Sequence, residues 1–492
     1  MVPRNKAERP SHRAVLACVT ALFGSWVGCH EPTARSASSP QTLRVGVGIG
    51  SVANPQAGIR QAVANVALEG LVDFTREGRP KASLAEKWES SVDGLSWRIT
   101  IKPSARFHDG SPVTASVIRE ILLAEMPDYM GGAFDDVQEI LAVSDNELVV
   151  NLKRRSAFLL EGLEVPIRKT GSAVIGTGPY RATGDSGGDL QANPDYYGQK
   201  PIIDTVSFRT YPSPRAAWAD MLRGQVDMLY ETGIEALDSL ERSSAIKVFT
   251  FERPYIIAVF LNAKRKPFDR PEIRRALNYA IDREALIATA LGGLGTPADG
   301  PIPPRHWARE PTGPRFTYQP ALIDAGGEAV NLTCIFGDSS LERLALTVQQ
   351  QLQAVGVKVA WESLPVDAFL SRLDSGQFDC ALGPVINGPN LLRPYWSFHS
   401  GGPFNFGRFE SRQVDAALDA IRHAGSDDDY QRGVAAFQRA TMDDPPAIFL
   451  AWGQRARAVS TRFAVPAEPG RDILGTLSLW RPAADKETDS PN

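Results

Sequence analysis

Apolar positions along this chain repeat at two different periods, and each change of period marks an element. Trp97, Ile99 and Ile101 alternate with Arg98, Thr100 and Lys102, which predicts a strand with one face buried and one in water. Asp93-Gly94, ahead of it, tolerates positive φ between two apolar-bearing arms and so signals a hairpin. A second Asp109-Gly110 turn follows, and Thr114 is placed to cap a helix from Ala115 through Leu123. Thr42 to Val47 and Thr205 to Thr210 read as alternating strands, Pro214 to Leu222 as a helix, and Ile256 to Leu261 as a continuous apolar strand ending in Asn262.

Helical spacing returns further on. Asp269 and Glu272 form a capping pair ahead of Ile273, Ala276, Leu277 and Ala280. Asn331 to Phe336 is a strand, and Ser339 with Glu342 reads as a capping box. Leu341, Leu344, Ala345, Val348 and Leu352 then make an apolar stripe; Gly356 ends it and Val357 to Trp361 returns as a strand. Strands alternating with helices of this length predict mostly parallel, doubly wound α/β sheets. With 492 residues the chain is too long for one ordinary core, so two lobes facing across a cleft are expected. Ligands of such sheets sit beyond the carboxyl ends of the strands, and closure on a solute is a hinge motion.

The N-terminus is of another kind. Arg4, Lys6, Arg9 and Arg13 precede an apolar run from Ala14 to Val27, and Val27-Gly28-Cys29 ends it with small residues, as in a secretory signal peptide. The run is too short to span a membrane, which takes roughly 20 residues. Glu31 to Gln41 is rich in Ser, Pro and Ala and reads as a flexible tether. Without residues 1–29 the chain has 49 basic and 56 acidic residues, a formal charge of −7. No basic stripe follows the signal, and this excludes a nucleic-acid binder, whose phosphate partner demands one. Cys334 and Cys380 each sit in an apolar strand-like run; in an oxidising compartment they can pair, although buried free cysteines are the commoner case.

Catalytic and metal motifs fail on their partners. Phe336-Gly337-Asp338-Ser339-Ser340 has the look of an esterase nucleophile block, but no histidine base is spaced to serve it, and Ser339 is better explained as a helix cap. Gly46-x-Gly48-x-Gly50 lacks the spacing and downstream acid of a dinucleotide fingerprint. His30, His108, His306, His399 and His423 show no metal-ligand spacing, so neither metal nor other cofactor is expected. Asp427-Asp428-Asp429 reads as a solvated helix start. The stretch Gly383 to Phe406 follows a strand and so belongs at the cleft mouth. It combines Tyr395, Trp396, Phe398 and Phe404 with Asn387, Asn390 and Arg393, the mixture that lines small-molecule pockets. Asn387, Arg393 and those four aromatics are the expected ligand-binding residues.

Leu84 to Ala115, Gly176-Thr177-Gly178-Pro179-Tyr180, Asn193-Pro194-Asp195-Tyr196-Tyr197 and Phe268 to Ala290 occur in an order that resembles the family 5 extracellular solute-binding proteins, the peptide- and nickel-type receptors of ABC importers. The resemblance runs from residue 42 to about 460. It implies a two-lobed periplasmic-binding-protein-like fold of type II. Lobe 1 would span residues 42–262 plus 460–482, with an inserted strand-rich subdomain at about 75–170, and lobe 2 residues 263–459. A signal peptide at 1–29, a tether at 30–41 and a disordered tail at 483–492 complete the expected division.

It also implies a monomeric periplasmic receptor, not an enzyme, that captures a small polar solute and delivers it to a permease. A sensory receptor without a dedicated permease is the alternative. Cys29 would be a lipid anchor to the membrane, although Trp26 departs from the usual lipobox leucine. Peptide receptors of this family carry an aspartate just after the strand that precedes Asn387, to pair with the peptide ammonium; Pro384-Val385-Ile386-Asn387 has no acid. A buried ligand cation without a counter-charge is costly, whereas Arg393 suits a carboxylate, so a neutral or acidic solute is expected.

Overall fold

The computed structural model describes residues 41–48, 55–183, 189–320 and 330–483. The signal peptide, the tether, Cys29, Gly50 and the tail beyond residue 483 lie outside these residues. The chain opens with β1 (Thr42–Gly48) and α1 (Pro55–Ala67), then enters a strand-rich excursion. This holds β2 (Val72–Phe74), β3 (Pro80–Ala82), β4 (Ala85–Ser90), β5 (Ser96–Ile101), α2 (Ala115–Met130), β6 (Val137–Ser144), β7 (Glu147–Leu152) and α3 (Phe158–Gly162). It returns through β8 (Tyr180–Ala182), β9 (Leu190–Ala192), β10 (Thr205–Tyr211), α4 (Pro214–Leu222), β11 (Met228–Leu229) and α5 (Ile234–Glu241). The long β12 (Ile246–Leu261) leads to α6 (Pro271–Tyr279), α7 (Arg283–Ala290), β13 (Gly295–Pro297), β14 (Val330–Phe336), α8 (Glu342–Ala354), β15 (Val357–Ser363), α9 (Val366–Ser375) and β16 (Cys380–Ile386). Helices α10 (Leu392–Phe398), α11 (Arg412–Arg422) and α12 (Asp427–Asp443) precede the second long strand, β17 (Ala447–Ser460).

One mixed sheet of 11 strands runs through both halves in the order β15-β14-β16-β12-β17-β11-β1-β10-β9-β8, with β13 paired to β17. Within each half the pairs β1 with β10 and β14 with β15 are parallel, as the βα alternation predicts. The halves are joined by antiparallel β12 and β17. Their register shifts between Glu252 and Ile256, so the bulge at Arg253–Tyr255 lies inside the strand. The apolar run Ile256 to Leu261, after which the crossing between lobes is expected, is the second half of the longer strand β12 (Ile246–Leu261). The C-terminal segment returns to the first half, where Ile473, Leu474 and Leu477 pack with Leu43, Val63 and Val206.

The excursion forms a four-stranded antiparallel sheet, β4-β5-β7-β6. Ile99 and Ile101 are fully buried on one face, and Thr114 caps α2 by accepting from Val117 N at 3.4 Å. The helix runs on to Met130 because Ile121, Leu122, Met126 and Met130 continue its buried face past the Leu123 where it was expected to stop. The core of this subdomain is continuous with α10, α11 and α12: Ile118, Leu122 and Phe158 share one cluster with Leu392, Leu418 and Phe437.

Two of the motif segments meet at Glu69. Its carboxylate accepts from Thr177 Oγ1 at 2.8 Å, Tyr196 OH at 2.9 Å and Tyr197 OH at 2.8 Å, tying the subdomain's entry and exit strands together. Gly176 is required there, since a Cβ would collide with the Ala67 carbonyl. Cys334 and Cys380 lie opposite one another on parallel β14 and β16, 4.5 Å apart at Cα, and form a disulfide rather than two free thiols.

Two expected caps are replaced. Asp338, not Ser339, caps the turn ahead of α8 by accepting from Ser340 N at 2.9 Å, and α8 itself starts at Glu342, so the capping box does not form. Helix α6 begins at Pro271 after Arg270 rather than under an Asp269 cap, because proline at the first position has no N–H to satisfy. Asp427, Asp428 and Asp429 fill the first turn of α12 beyond the Ser426 cap, where the helix dipole favours negative charge.

Candidate functional site

A cleft of about 380 Å³ opens where the β12 bulge meets six other segments. Its walls are the β2–β3 turn (Asp73, Arg76), Glu164 after α3, the bulge (Glu252, Arg253), the Pro303–Arg305 loop, the Gly388-Pro389 turn after β16, Trp452 of β17, and the C-terminal loop (Arg471, Asp472). A site at the carboxyl ends of strands and between lobes is where doubly wound sheets bind ligands. A smaller cavity of about 70 Å³, with Tyr255, Ile257, Leu291 and Leu294 among its lining residues, also reaches Arg253.

Ion pairs to Glu252 bridge walls of the cleft, and others anchor its carboxylates to residues behind the wall. Arg76 donates to both oxygens of Glu252, at 2.5 and 3.1 Å, and to the Pro469 carbonyl at 2.8 Å. Gly470 makes room for that guanidinium, for a Cβ there would strike it. Arg305 reaches the same Glu252 at 3.3 Å. Asp73 pairs with Lys81 at 2.7 Å, and Asp472 takes the buried Arg457 at 2.6 Å. Glu164 takes Arg393 at 2.9 Å. The Pro303–Arg305 wall is held to the subdomain by an aromatic stack: Trp307 lies on Tyr430 at 5.1 Å, with the Arg79 guanidinium 3.4 Å above the Trp307 ring. His306 in that stack is fully desolvated, which pushes its imidazole down to about 3 and keeps it neutral.

Among the charged side chains lining the cleft, Arg253 is the one without an ion-pair partner among the described residues; its guanidinium rests 4.2 Å over the Tyr255 ring. Counting the partners just behind the wall, Lys81, Arg393, Arg457 and Glu468, cations outnumber carboxylates. The site is thus suited to an anionic group.

None of the six expected binding residues lines this cleft; their stretch contributes Gly388 and Pro389 instead. The reason is that α10 winds immediately after Leu391 and turns its side chains into the shared core. Phe398 is fully buried against Phe449, Trp396 packs edge-on to Tyr129 at 5.4 Å, and Tyr395 stacks on His399 at 4.3 Å while its hydroxyl accepts from Arg422 at 2.8 Å. Phe404 lies on the surface against Trp396. Asn387 is fully buried and donates to the Pro301 carbonyl at 2.6 Å. Arg393 faces Glu164, so it sits behind the wall. Sequence reading missed Arg76, Glu164, Glu252, Arg253 and Arg305. One signal was present: Glu252-Arg253-Pro254 interrupts an otherwise apolar strand, and a charged pair before proline inside a central strand marks a bulge.

No group of three or more His, Cys, Asp or Glu able to hold a metal occurs among the described residues. No helix among them is long and apolar enough to cross a membrane.

Comparison with known proteins agrees with this fold. The family described as bacterial extracellular solute-binding proteins, family 5 (middle), matches residues 79–405. The probable D,D-dipeptide-binding periplasmic protein DdpA of Escherichia coli (strain K12) is 24% identical over 412 residues, which is 75% of this chain and 78% of that protein. The glutathione-binding protein GsiB of Pectobacterium atrosepticum is 26% identical over 442 residues, 80% of this chain and 84% of that one. Among solved structures, NikZ from Campylobacter jejuni in complex with Ni(L-His) superposes with a TM-score of 0.75 at 20% identity, covering 89% of this chain and 99% of that chain. DppA from Helicobacter pylori in complex with the peptide STSA gives 0.74 at 18% identity, covering 89% and 97%. With its motif order, its two-lobed sheet and more than half its length matched, the chain belongs to the family 5 bacterial extracellular solute-binding proteins, which capture a solute and deliver it to an ABC importer permease.

Proposed function

We propose that this receptor captures a small amino-acid-derived or peptide-like solute that carries at least one carboxylate, held at Arg253 in the hinge cleft. The observation that carries this reading is the excess of cations around the cleft, with Arg253 unpaired at its hinge. A planar guanidinium with no acceptor among the described residues is a ready bidentate donor for a carboxylate. The volume of about 380 Å³ suits a solute of a few residues. The names of the relatives, a D,D-dipeptide and a glutathione receptor, point to the same chemical class. The receptor performs no bond chemistry in this reading, acts as a monomer in the periplasm and is held to the membrane through lipidated Cys29.

The test is a thermal-shift and calorimetric screen of the mature chain against glutathione, D-alanyl-D-alanine, their C-terminal amides and neutral sugars. A ligand at a hundredfold excess over its dissociation constant stabilises the state it binds by about 2.7 kcal/mol. Carboxylate compounds are expected to raise the midpoint and their amides are not. Arg253→Ala should weaken the bound compound by roughly tenfold to a hundredfold, the worth of a charge-assisted pair. A tight ligand without a negative charge, or unchanged affinity in Arg253→Ala, sinks the reading.

A further inference from the structure

Four carboxylates line the cleft, and in three of them both oxygens already accept from the protein. Glu252 gives both oxygens to Arg76; Asp472 gives both to Arg457; Asp73 accepts from Lys81 on one oxygen and from the Phe74 N–H at 2.7 Å on the other. Glu164 differs. Three donors converge on its Oε2 alone: Arg393 Nη2 at 2.9 Å, Asn390 Nδ2 at 2.9 Å and Tyr129 OH at 3.0 Å. They come from α2 and from the segment that follows β16, so the carboxylate is gripped from two elements. Its Oε1 has no protein partner among the described residues, and the side chain, 23% exposed, faces the cleft.

We propose that Glu164 Oε1 accepts a protonated amine of the solute, and that Arg393, Asn390 and Tyr129 are positioning residues that aim it. This rests on the reading of the cleft as the solute site and adds the second charge to the solute: an amine as well as a carboxylate. A carboxylate is an acceptor only, and its strongest partner is a cationic N–H. Arg393, whose side chain is 14% exposed, offsets the cost of holding Glu164 at the wall but reaches only the far oxygen. An ammonium placed anywhere else in the cleft would meet a carboxylate whose oxygens are taken and an excess of arginines.

The experiment compares acidic di- and tripeptides, glutathione among them, with their N-acetyl derivatives by calorimetry on the unaltered mature chain and on Glu164→Gln. The free-amine member is expected to bind roughly tenfold or more tightly than the acetylated one, as loss of a charge-assisted bond implies. Glu164→Gln should erase that difference. Equal binding of both members to the unaltered chain overturns the proposal, whatever becomes of the variant's folding. So does discrimination that survives in Glu164→Gln. If dicarboxylates without an amine bind and no free-amine member does, the proposal falls and the anion site stands; if no anionic compound binds, both fall.

Discussion

Asp136→Asn will destabilise the protein by about 3–5 kcal/mol, the cost of leaving a buried cation without its counter-charge. Asp136 is completely buried at the end of the short turn, Gly131–Asp136, that follows α2, where it meets Arg422 of α11. It accepts from Arg422 Nε at 2.6 Å and from Arg154 Nε at 2.9 Å. Arg422 is itself buried and spends its other donors on Tyr395 OH at 2.8 Å and the Gly132 carbonyl at 2.9 Å. Asparagine keeps the shape but removes the charge, so the guanidinium stays desolvated with no compensation. The measurement is the urea midpoint at constant slope. Arg154→Ala is the control, because Arg154 is largely exposed and an exposed partner contributes about 1 kcal/mol or less. A loss for Asp136→Asn no larger than that of the control would show that this junction is not held by charge.

The second large effect is on pH dependence. Glu161 is fully buried, and desolvation raises its carboxyl from 4.5 to about 8, helped by the nearby Glu164 and opposed by the N–H groups of Leu392 and Leu391 and by the Tyr430 hydroxyl. Below about 4.5 the group is protonated whether the chain is folded or not, and it makes no difference to stability. Between 4.5 and about 8 the folded state holds a proton that the unfolded chain releases, so stability falls as pH rises, by about 1.4 kcal/mol per pH unit from this group. Above about 8 both states are ionised and the loss is complete. Glu161→Gln keeps an acceptor for the Leu392 N–H and cannot ionise. It should flatten the decline across that window and leave the variant more stable than the parent at pH 8. Parallel curves for the two proteins would mean that Glu161 is ionised in the fold. Tyr430 of α12, Arg393 of α10 and Glu164 after α3, which face the same spot, are unchanged in the variant.

Much of the fold is legible in local pattern. The alternation at Trp97–Ile101, the Thr114 cap, the Pro214–Leu222 helix and the stripe Leu344–Leu352 each appear where their spacing put them. Local spacing reads burial on one element at a time, and that is enough for strands and amphipathic helices. The lining of the cleft was not legible in this way. Tyr395, Trp396 and Phe398 have the composition of a pocket wall, but composition does not tell which side of a loop meets solvent, and α10 turns these rings inward.

The expectation against a ligand cation rested on the absence of an acid next to Asn387. Glu164 supplies a carboxylate to the same region from 229 positions before Arg393. Asp136 and Arg422, 286 positions apart, are another such pair.

By itself the sequence determined the element types, the βα alternation of two lobes and the family, because these follow from short-range periodicity, turn residues and the order of motifs. Tertiary structure alone decided which charges face the cleft, that β12 and β17 carry the hinge bulge, and that the subdomain shares a core with α10–α12. Those outcomes depend on contacts between residues hundreds of positions apart, whose energies come from burial and charge pairing that no local window contains.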